Sequence, residues 1–339
     1  MSRRVTVSAP ANIAFVKYWG ARDLERALPH HPSISMTLEV CRSVTTVEPR
    51  EDLARDEVRL AGADGRLEAP GEAFADRVRR HLEAIRARTG RKERFHVVTR
   101  NTFPAAAGLA SSASGFAALA AAVDRALGLG ADAGELSVLA RLSGSGSAAR
   151  SVLGGYVEWP AEPGDDAPAA RISPAAHWDL RCVIALLETG QKEISSLEGH
   201  RRAATSPHFA RRLELVPERL DAVRRAVRDR DLSSLGRVLE REAIELHAIA
   251  MTSEPPIFYW RPATLEVLAA VRELRRGGAR AWSTMDAGAN VHVICPPEDE
   301  PMVAAALAVA PGVGGLIRDR VGDGPREEEA DLLSVGAGR

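Results

Sequence analysis

A turn of small residues that runs straight into an Ala-rich helix restricts this chain more than any other segment. It reads NTFPAAAGLASSASGFAALAAAVDRALGLG, residues 101–130. Within it, PAAAGLASSASGFAAL places the paired hydroxyls Ser111 and Ser112 at the point where the turn becomes helix. A helix N-terminus presents unpaired N–H groups and the positive end of a dipole, which suits a phosphate. Small residues let the backbone approach such an anion closely. Two hydroxyls can add donors or ligate Mg²⁺. Read alone, the same residues serve equally as an N-cap on an Ala-rich helix. Neither the GxxxxGK[ST] nor the GxGxxG pattern is present.

Composition bounds what surrounds this segment. The chain has 339 residues, enough for one large or two ordinary domains with a sizeable core. It is 27% charged with a formal net charge of −1, a balance that argues against a dedicated nucleic-acid binder. A hydrophobic fraction of 45% excludes wholesale disorder. No apolar run approaches the roughly 20 residues that span a bilayer. The opening MSRRVTVSAPANIAF lacks the apolar core of a signal peptide. The expectation is a soluble, cytoplasmic globular protein with no nucleic-acid or membrane partner. Cys41, Cys182 and Cys295 are scattered beside apolar runs, as free buried thiols in a reducing compartment would be. The 45 basic side chains comprise 42 arginines and only Lys17, Lys92 and Lys192. A guanidinium fork and a compact ammonium are not equivalent, so a surviving lysine marks a place where arginine does not serve.

Patterning along the chain mixes strand and helix. Strand signals fall at Arg4–Ala9, Ser33–Val40, Ser43–Glu48, Glu57–Leu60, Arg94–Thr99 and 154–159. Glu72–Arg88 reads as a helix with Phe74, Val78, Leu82 and Ile85 on one face, and Gly134–Leu142 as another. The Pro- and Asp-rich stretch 160–174 reads as a linker or a long surface loop. Leu180–Leu187 is a buried-strand pattern. Phe209, Leu213, Val216, Leu220, Val223 and Val227, then Leu232, Leu235, Leu239, Leu246 and Ile249, describe an αα-hairpin with Asp231 as N-cap of its second helix. Thr264–Arg276 is a further helix. Ala279–Ser283 and Val291–Ile294 are strands, and a last helix covers Glu298–Ala308.

Three other segments can carry chemistry. SGSGSAARS, residues 143–151, sets Ser145, Ser147 and Arg150 where an oxyanion could be gripped, or forms a flexible turn with a surface arginine. MDAGAN, residues 285–290, holds Asp286 in a close-packed turn between strands, as an Asx-turn or as a catalytic acid. PANIAFVKYWG, residues 10–20, puts a rare lysine, Lys17, beside Tyr18 and Trp19, with core packing of the rings the plain alternative.

Taken in order, these segments resemble the diphosphomevalonate decarboxylases of the GHMP small-molecule kinase superfamily. The matching stretches are APANIAFVKYWGARD, SISMTL, FPAAAGLASSASG, GSGSAARSVLGGYVEW and MDAGAN, with weaker matches at QKEISSLEGH and EPPIFY. The resemblance covers about residues 4–322. It implies an α+β, two-lobed GHMP-kinase-like fold. A mixed sheet with helices would form an N-terminal ATP-binding lobe over 1–179, and a helix-rich α/β lobe would cover 180–322, with a frayed tail at 323–339. It also implies ATP-dependent decarboxylation of (R)-5-diphosphomevalonate to isopentenyl diphosphate through phosphorylation of the 3-hydroxyl, with ATP and Mg²⁺ required. A phosphomevalonate decarboxylase or mevalonate 3-kinase is the sibling reading, and a non-catalytic ligand sensor on the same fold lies outside that class.

The same resemblance implies roles for single residues. Asp286 orients and deprotonates the 3-hydroxyl, with Lys17 beside it. Arg150 binds the acidic groups of the substrate, supported by Asn12. Tyr18, Ser145 and Ser147 contact substrate phosphate. Gly108, Leu109, Ala110, Ser111 and Ser112 form the ATP phosphate loop, Ser112 lies in the Mg²⁺ region, and Lys192 is on the nucleotide side. A homodimer is implied likewise. Four positions depart from the family pattern: Ala21 for a lysine, Ala105 for Thr, His200 for Met and Ala289 for Pro. Ala21 removes a charge that Arg22, His30 or His31 could restore, and it raises the prospect of a substrate with one phosphate.

Overall fold

The computed structural model describes residues 3–104, 111–160, 163–187, 194–329 and 331–335. In chain order the strands are β1 (Val5–Val16), β2 (Ser33–Arg50), β3 (Glu57–Ala61) and β4 (Leu67–Glu68), followed by helix α1 (Glu72–Thr89) and β5 (Arg94–Asn101). Helices α2 (Ser111–Leu127), α3 (Ala133–Arg141) and α4 (Gly146–Ser151) come next, then β6 (Tyr156–Trp159), β7 (Ala170–Ser173) and β8 (Arg181–Leu186). The helices α5 (Ser196–Arg202), α6 (Phe209–Asp229), α7 (Leu232–Met251) and α8 (Pro262–Arg276) precede β9 (Trp282–Thr284) and β10 (Val291–Cys295). The chain ends with α9 (Glu300–Ala308), β11 (Gly315–Arg320), β12 (Arg326–Glu327) and α10 (Leu332–Val335). The α+β class expected from the sequence is the one found.

Two sheets organise these elements. The first runs β12-β1-β2-β5-β3-β4, with β6 paired to β2 and β7 paired to β6, and the second runs β11-β8-β10-β9. Helix α2 lies on the first sheet. Ala113, Ala117, Ala118, Ala120 and Ala122 have no accessible surface, so the methyl-sized side chains let the helix axis approach the strands closely. The Ser114 and Ser43 hydroxyls meet at 2.6 Å across that contact. In β8 the faces alternate as strand geometry requires. Cys182, Ile184 and Leu186 join a core with α6 and α7, while Val183 and Ala185 join a second core with α8 and α9. The first of these cores also takes Ile13, Phe15, Ile34 and Met36 from β1 and β2, so the two sheets share apolar interior. All three cysteines are buried and unpaired. Among the described residues no helix is long and apolar enough to cross a membrane.

Several local expectations need correction. The two strands expected at Ser33–Val40 and Ser43–Glu48 form one strand, β2, interrupted only in its pairing: Pro10 faces Arg42, but Asn12 faces Thr37. The residues squeezed out between them are held by Asp319 of β11. Its carboxylate accepts the backbone N–H groups of Glu39, Val40 and Cys41, each at 2.9 Å. A backbone bulge stapled by a side chain 278 residues away leaves no local signature. On α1, Phe74 is 40% exposed, because Ala75 rather than Phe74 turns inward with Val78, Leu82 and Ile85. Of the stretch 160–174, the described residues are folded onto the first sheet as a surface loop, since β7 pairs with β6 and Asp166 takes hydrogen bonds from Arg88 and Arg141, both at 2.9 Å. The tail is not frayed over its described part. Strand β12 pairs with β1, Arg42 donates to the Gly324 carbonyl at 2.8 Å, and the buried Leu332 donates its N–H to Thr46 at 3.1 Å.

Asp319 is 2% exposed and satisfies three backbone donors, that of Cys41 buried and those of Glu39 and Val40 part-buried, so its removal leaves all three without this partner. Asp319→Ala is expected to lower the free energy of unfolding by about 3 kcal/mol or more. Asp319→Asn, which keeps one acceptor oxygen, should fall between it and the wild type. Urea unfolding followed by circular dichroism measures both, and a loss under about 1 kcal/mol for the alanine variant would refute the staple.

Candidate active site

Strand β1 is buried along its whole length, and it delivers Lys17 to the floor of a cleft of about 700 Å³. The Lys17 ammonium donates to Asp286 Oδ1 at 2.8 Å and to the Ala14 carbonyl at 2.7 Å. Asp286 stands in the turn between β9 and β10. That turn is close-packed, with Met285, Ala287 and Ala289 buried and the Ala289 carbonyl accepting from Thr264 at 3.1 Å. The Asn290 side chain fixes its far end by accepting the Leu187 N–H at 2.7 Å. The Lys17 side chain is 1% exposed and that of Asp286 is 26% exposed, so the carboxylate is the partner that reaches the cavity. Burial pulls the Lys17 pKa down from the usual lysine value. Burial would raise that of Asp286, but the Lys17 ammonium, aided by His292 and Arg150, holds it below the usual carboxylate range. Asp286 is therefore ionised at neutral pH.

Arg150, on the short helix α4, is the second cation of the cleft. It is 1% exposed. Nε donates to Ser35 Oγ at 2.9 Å, one terminal nitrogen bonds Ser33 Oγ, and the other reaches Asn12 Oδ1 at 3.2 Å and Ser147 Oγ at 3.3 Å. The Ser33 hydroxyl spends its own proton on the Trp159 carbonyl at 3.0 Å, which leaves its lone pairs for the guanidinium. Asn12 also donates to the Ser147 carbonyl at 3.1 Å and to Ser151 Oγ at 2.8 Å, so one amide ties β1 to α4. Every one of these partners is neutral. The other buried arginines among the described residues, Arg42, Arg86, Arg141, Arg212 and Arg219, each have a carboxylate within 4.0 Å. Burial presses the Arg150 pKa down to about 10, which keeps it cationic at neutral pH.

The remaining walls come from Tyr18, the α2 start at Ser111 and Ser112, the α4 entry at Ser143–Ser147, and α5. Ser145 precedes α4 and makes no side-chain capping bond. Gly146 is required by contact: a Cβ there would sit 2.4 Å from the Trp159 ring and 2.8 Å from Tyr18. Burial raises the Tyr18 hydroxyl above its usual pKa, so it remains a neutral donor. Lys17, Tyr18, Ser111, Ser112, Ser145, Ser147, Arg150 and Asp286 thus line one cavity, with Asn12 behind them. Gly108, Leu109, Ala110 and Lys192 lie outside the described residues.

Other residues in and around the cleft drew no role from the sequence. Arg77 and Arg80 project from α1 on one face, and Arg77 lies over the Phe116 ring at 4.6 Å. They stand in a long amphipathic helix with several arginines and no motif. His200 packs its ring 4.4 Å from Tyr18 and 4.9 Å from Trp19, and burial presses its pKa to about 4. Ser33 and Ser35 stood inside SISMTL but drew no role, because their part is to hold Arg150. The residues that could replace the missing charge at Ala21 point elsewhere. Arg22 pairs with Asp165, His30 packs against Phe209, and His31 lies between the Pro32 carbonyl and Arg212.

Comparison with known proteins gives the family of this chain. Residues 9–169 match the diphosphomevalonate decarboxylase-like N-terminal domain, and residues 182–326 match the mevalonate 5-diphosphate decarboxylase C-terminal domain. The diphosphomevalonate decarboxylase of Candida albicans is 34% identical over 96% of this chain and 98% of its own length. That of Ganoderma lucidum is 35% identical over 98% of each. Among solved structures, mevalonate diphosphate decarboxylase from Staphylococcus aureus superposes with a TM-score of 0.89 at 31% identity, covering 97% of this chain and 99% of that one. A complex of MDDEF with MVAPP, AMPPCP and magnesium superposes with a TM-score of 0.87 at 34% identity, covering 97% and 100%. By sequence along nearly its whole length and by its GHMP-kinase-like fold, the chain belongs to the diphosphomevalonate decarboxylase family.

Proposed function

We propose that this chain catalyses the ATP-dependent decarboxylation of (R)-5-diphosphomevalonate to isopentenyl diphosphate, ADP, phosphate and CO₂. The observation that carries this is Arg150: a buried guanidinium with neutral partners only, in the same cleft as an ionised Asp286 held by Lys17. A buried cation with no carboxylate in contact is costly, so such a site gains by taking an anion. An ionised carboxylate beside it gives a place for a hydroxyl proton.

Asp286 orients the 3-hydroxyl and accepts its proton as the hydroxyl oxygen bonds to the γ-phosphorus and the bond to the ADP oxygen breaks. In a loose transition state that proton leaves late, so a carboxylate with a depressed pKa suffices. The C3–O bond then breaks with its electron pair leaving on phosphate. The C1–C2 pair falls in to form the C2=C3 double bond, and C1 departs as CO₂. Lys17 neutralises the transferring phosphoryl oxygens, and Arg150, aimed by Asn12, holds the acidic groups of the substrate. Tyr18, Ser145 and Ser147 donate to substrate phosphate. Ser111 and Ser112, with the backbone of Gly108, Leu109 and Ala110 and with Lys192, take the ATP phosphates. Among the described residues no cluster of three or more His, Cys, Asp or Glu could hold a metal. That sparse hydroxyl lining fits Mg²⁺, which takes most of its oxygens from phosphates and water, with Ser112 as the protein ligand. Bound Mg²⁺ would supply charge neutralisation of the phosphates. The lobes would divide at 179/180, with the cleft between them. The resemblance further supports a cytoplasmic homodimer.

Ala21 favours a second reading, in which the substrate carries one phosphate, because neither Arg22 nor His31 lines the cavity. Incubation with ATP, Mg²⁺ and each of mevalonate, its 5-phosphate and its 5-diphosphate, following ADP and CO₂, separates the readings. The diphosphate should turn over fastest, with ADP and CO₂ in equal amounts. ADP without CO₂ would leave a 3-kinase, and faster turnover of the monophosphate would overturn the substrate assignment. Asp286→Asn is expected to cut kcat by at least 10²-fold while nucleotide binding, measured by calorimetry, persists. A near-normal rate would remove Asp286 as the base. Ala21→Lys should lower KM for the diphosphate roughly tenfold, the worth of one hydrogen bond to a charged group. An unchanged KM would mean that another residue already serves there.

A further inference from the structure

The αα-hairpin carries a buried ion cluster that the reaction scheme does not use. Glu242 of α7 has no accessible surface. Its carboxylate takes Arg212 at 2.7 Å and Arg219 at 2.5 Å, both from α6, and Arg219 also holds Glu245 at 2.5 Å. A hydrophobic stripe would pack this hairpin without any charge. The cluster does something else: Glu242 Oε2 accepts the backbone N–H of Lys17 at 2.8 Å, and Arg212 donates to the Lys17 carbonyl at 2.9 Å. Both backbone groups of the lysine are therefore gripped by the hairpin. His31 completes the grip. Its Nδ1 faces the Pro32 carbonyl at 2.7 Å, which leaves Nε2 to accept from Arg212 at 2.8 Å.

The same helix registers the other half of the ion pair. Glu240, two residues before Glu242, accepts the Ser283 N–H and hydroxyl, both at 3.0 Å, and Arg275 at 2.5 Å. Ser283 stands three residues before Asp286. Helix α7 lies so close to β9 that a Cβ on Gly236 would fall 2.0 Å from the Trp282 ring. One helix thus fixes β1 at Lys17 and β9 ahead of Asp286.

We infer that Glu242 is a positioning residue of the active site, which sets the backbone of Lys17 and with it the approach of the ammonium to Asp286. The inference rests on the decarboxylase reading for its readout. Glu242 also acts through charge. Lys17 is faced by Asp286 from the β9–β10 turn, Glu242 from α7, Arg150 from α4, His292 from β10, Cys182 from β8 and Arg212 from α6. Of these, Asp286 and Glu242 favour its protonated form. With the negative charge of Glu242 gone, Lys17 gives up its proton at lower pH, and activity that needs the ammonium is lost earlier as pH rises.

Glu242→Gln keeps an acceptor for the Lys17 N–H and removes the charge. It is expected to lower kcat about tenfold or more, to leave KM for both substrates within about twofold, and to move the basic limb of the kcat–pH profile to lower pH. Glu245→Gln, which touches only Arg219, should leave kcat and that limb in place. If Glu242→Gln does not fold by circular dichroism, the double variant Arg219→Gln, Glu242→Gln removes one charge of each sign and is read the same way. A folded variant with the wild-type kcat and basic limb overturns the inference. Failure of both to fold overturns it too, by assigning the cluster to stability alone. A wild-type enzyme without turnover would instead refute the decarboxylase reading.

Discussion

The ion pair between Lys17 and Asp286 joins residues 269 apart in sequence, and the arrangement of both sheets follows from bringing them to 2.8 Å. Lys17 directly follows β1 of the first sheet, and Asp286 leads into β10 of the second. The two sheets share a core behind that meeting point. A buried ion pair is a weak source of stability, because taking the charges out of water offsets most of their attraction. The site is kept charged by what surrounds it: the Ala14 carbonyl on the ammonium, the cleft on the carboxylate, and α7 gripping the chain on either side.

Charge elsewhere in the molecule follows a different rule. A buried arginine here spans elements: Arg42 ties the returning tail to β1, Arg141 pins the loop at Asp166, and Arg212 and Arg219 bind α6 to α7. Each has a carboxylate nearby, and the planar fork serves two or three acceptors at once. Arg150 has the same geometry with hydroxyls and an amide in place of carboxylates. Neutral acceptors fix the fork without cancelling its charge, which suits the anion-binding role proposed for it.

Much of this was legible in the sequence, for identifiable reasons. The αα-hairpin was readable because its apolar residues recur at helical spacing, and the Asp231 cap because capping is local; its carboxylate accepts the Ser234 N–H at 3.0 Å. The cleft residues were readable because they sit in contiguous motifs that local backbone turns require. What was missed depends on contacts between distant segments. The bulge in β2 is held by Asp319, the tail by Arg42, and Arg77 and Arg80 enter the cleft only because α1 packs where it does. The apolar stripe of α6 gave no hint that Arg212 and Arg219 are buried along with it, since an arginine in a helix reads as solvated until its partner helix is placed. Three lysines among 45 basic residues were a better guide. Lys17 proved to need what arginine cannot give, a compact cation that fits between a carbonyl and a carboxylate.

The distribution of charge also accounts for chemistry without an electron-sink cofactor. Decarboxylation needs somewhere for an electron pair to go. Here it goes into the carbon from which phosphate departs, so the protein must make the tertiary oxygen a good leaving group and then hold both anionic ends of the substrate while the C1–C2 bond opens. Lys17 and Arg150 are fixed before the substrate arrives, one by a carbonyl and a carboxylate, the other by hydroxyls and an amide. Little reorganisation is left for the moment of reaction, which is where fixed charges in a site of low polarity outperform water. Asp286 is the partner with exposure, and in the proposed mechanism it is the one that takes up a proton.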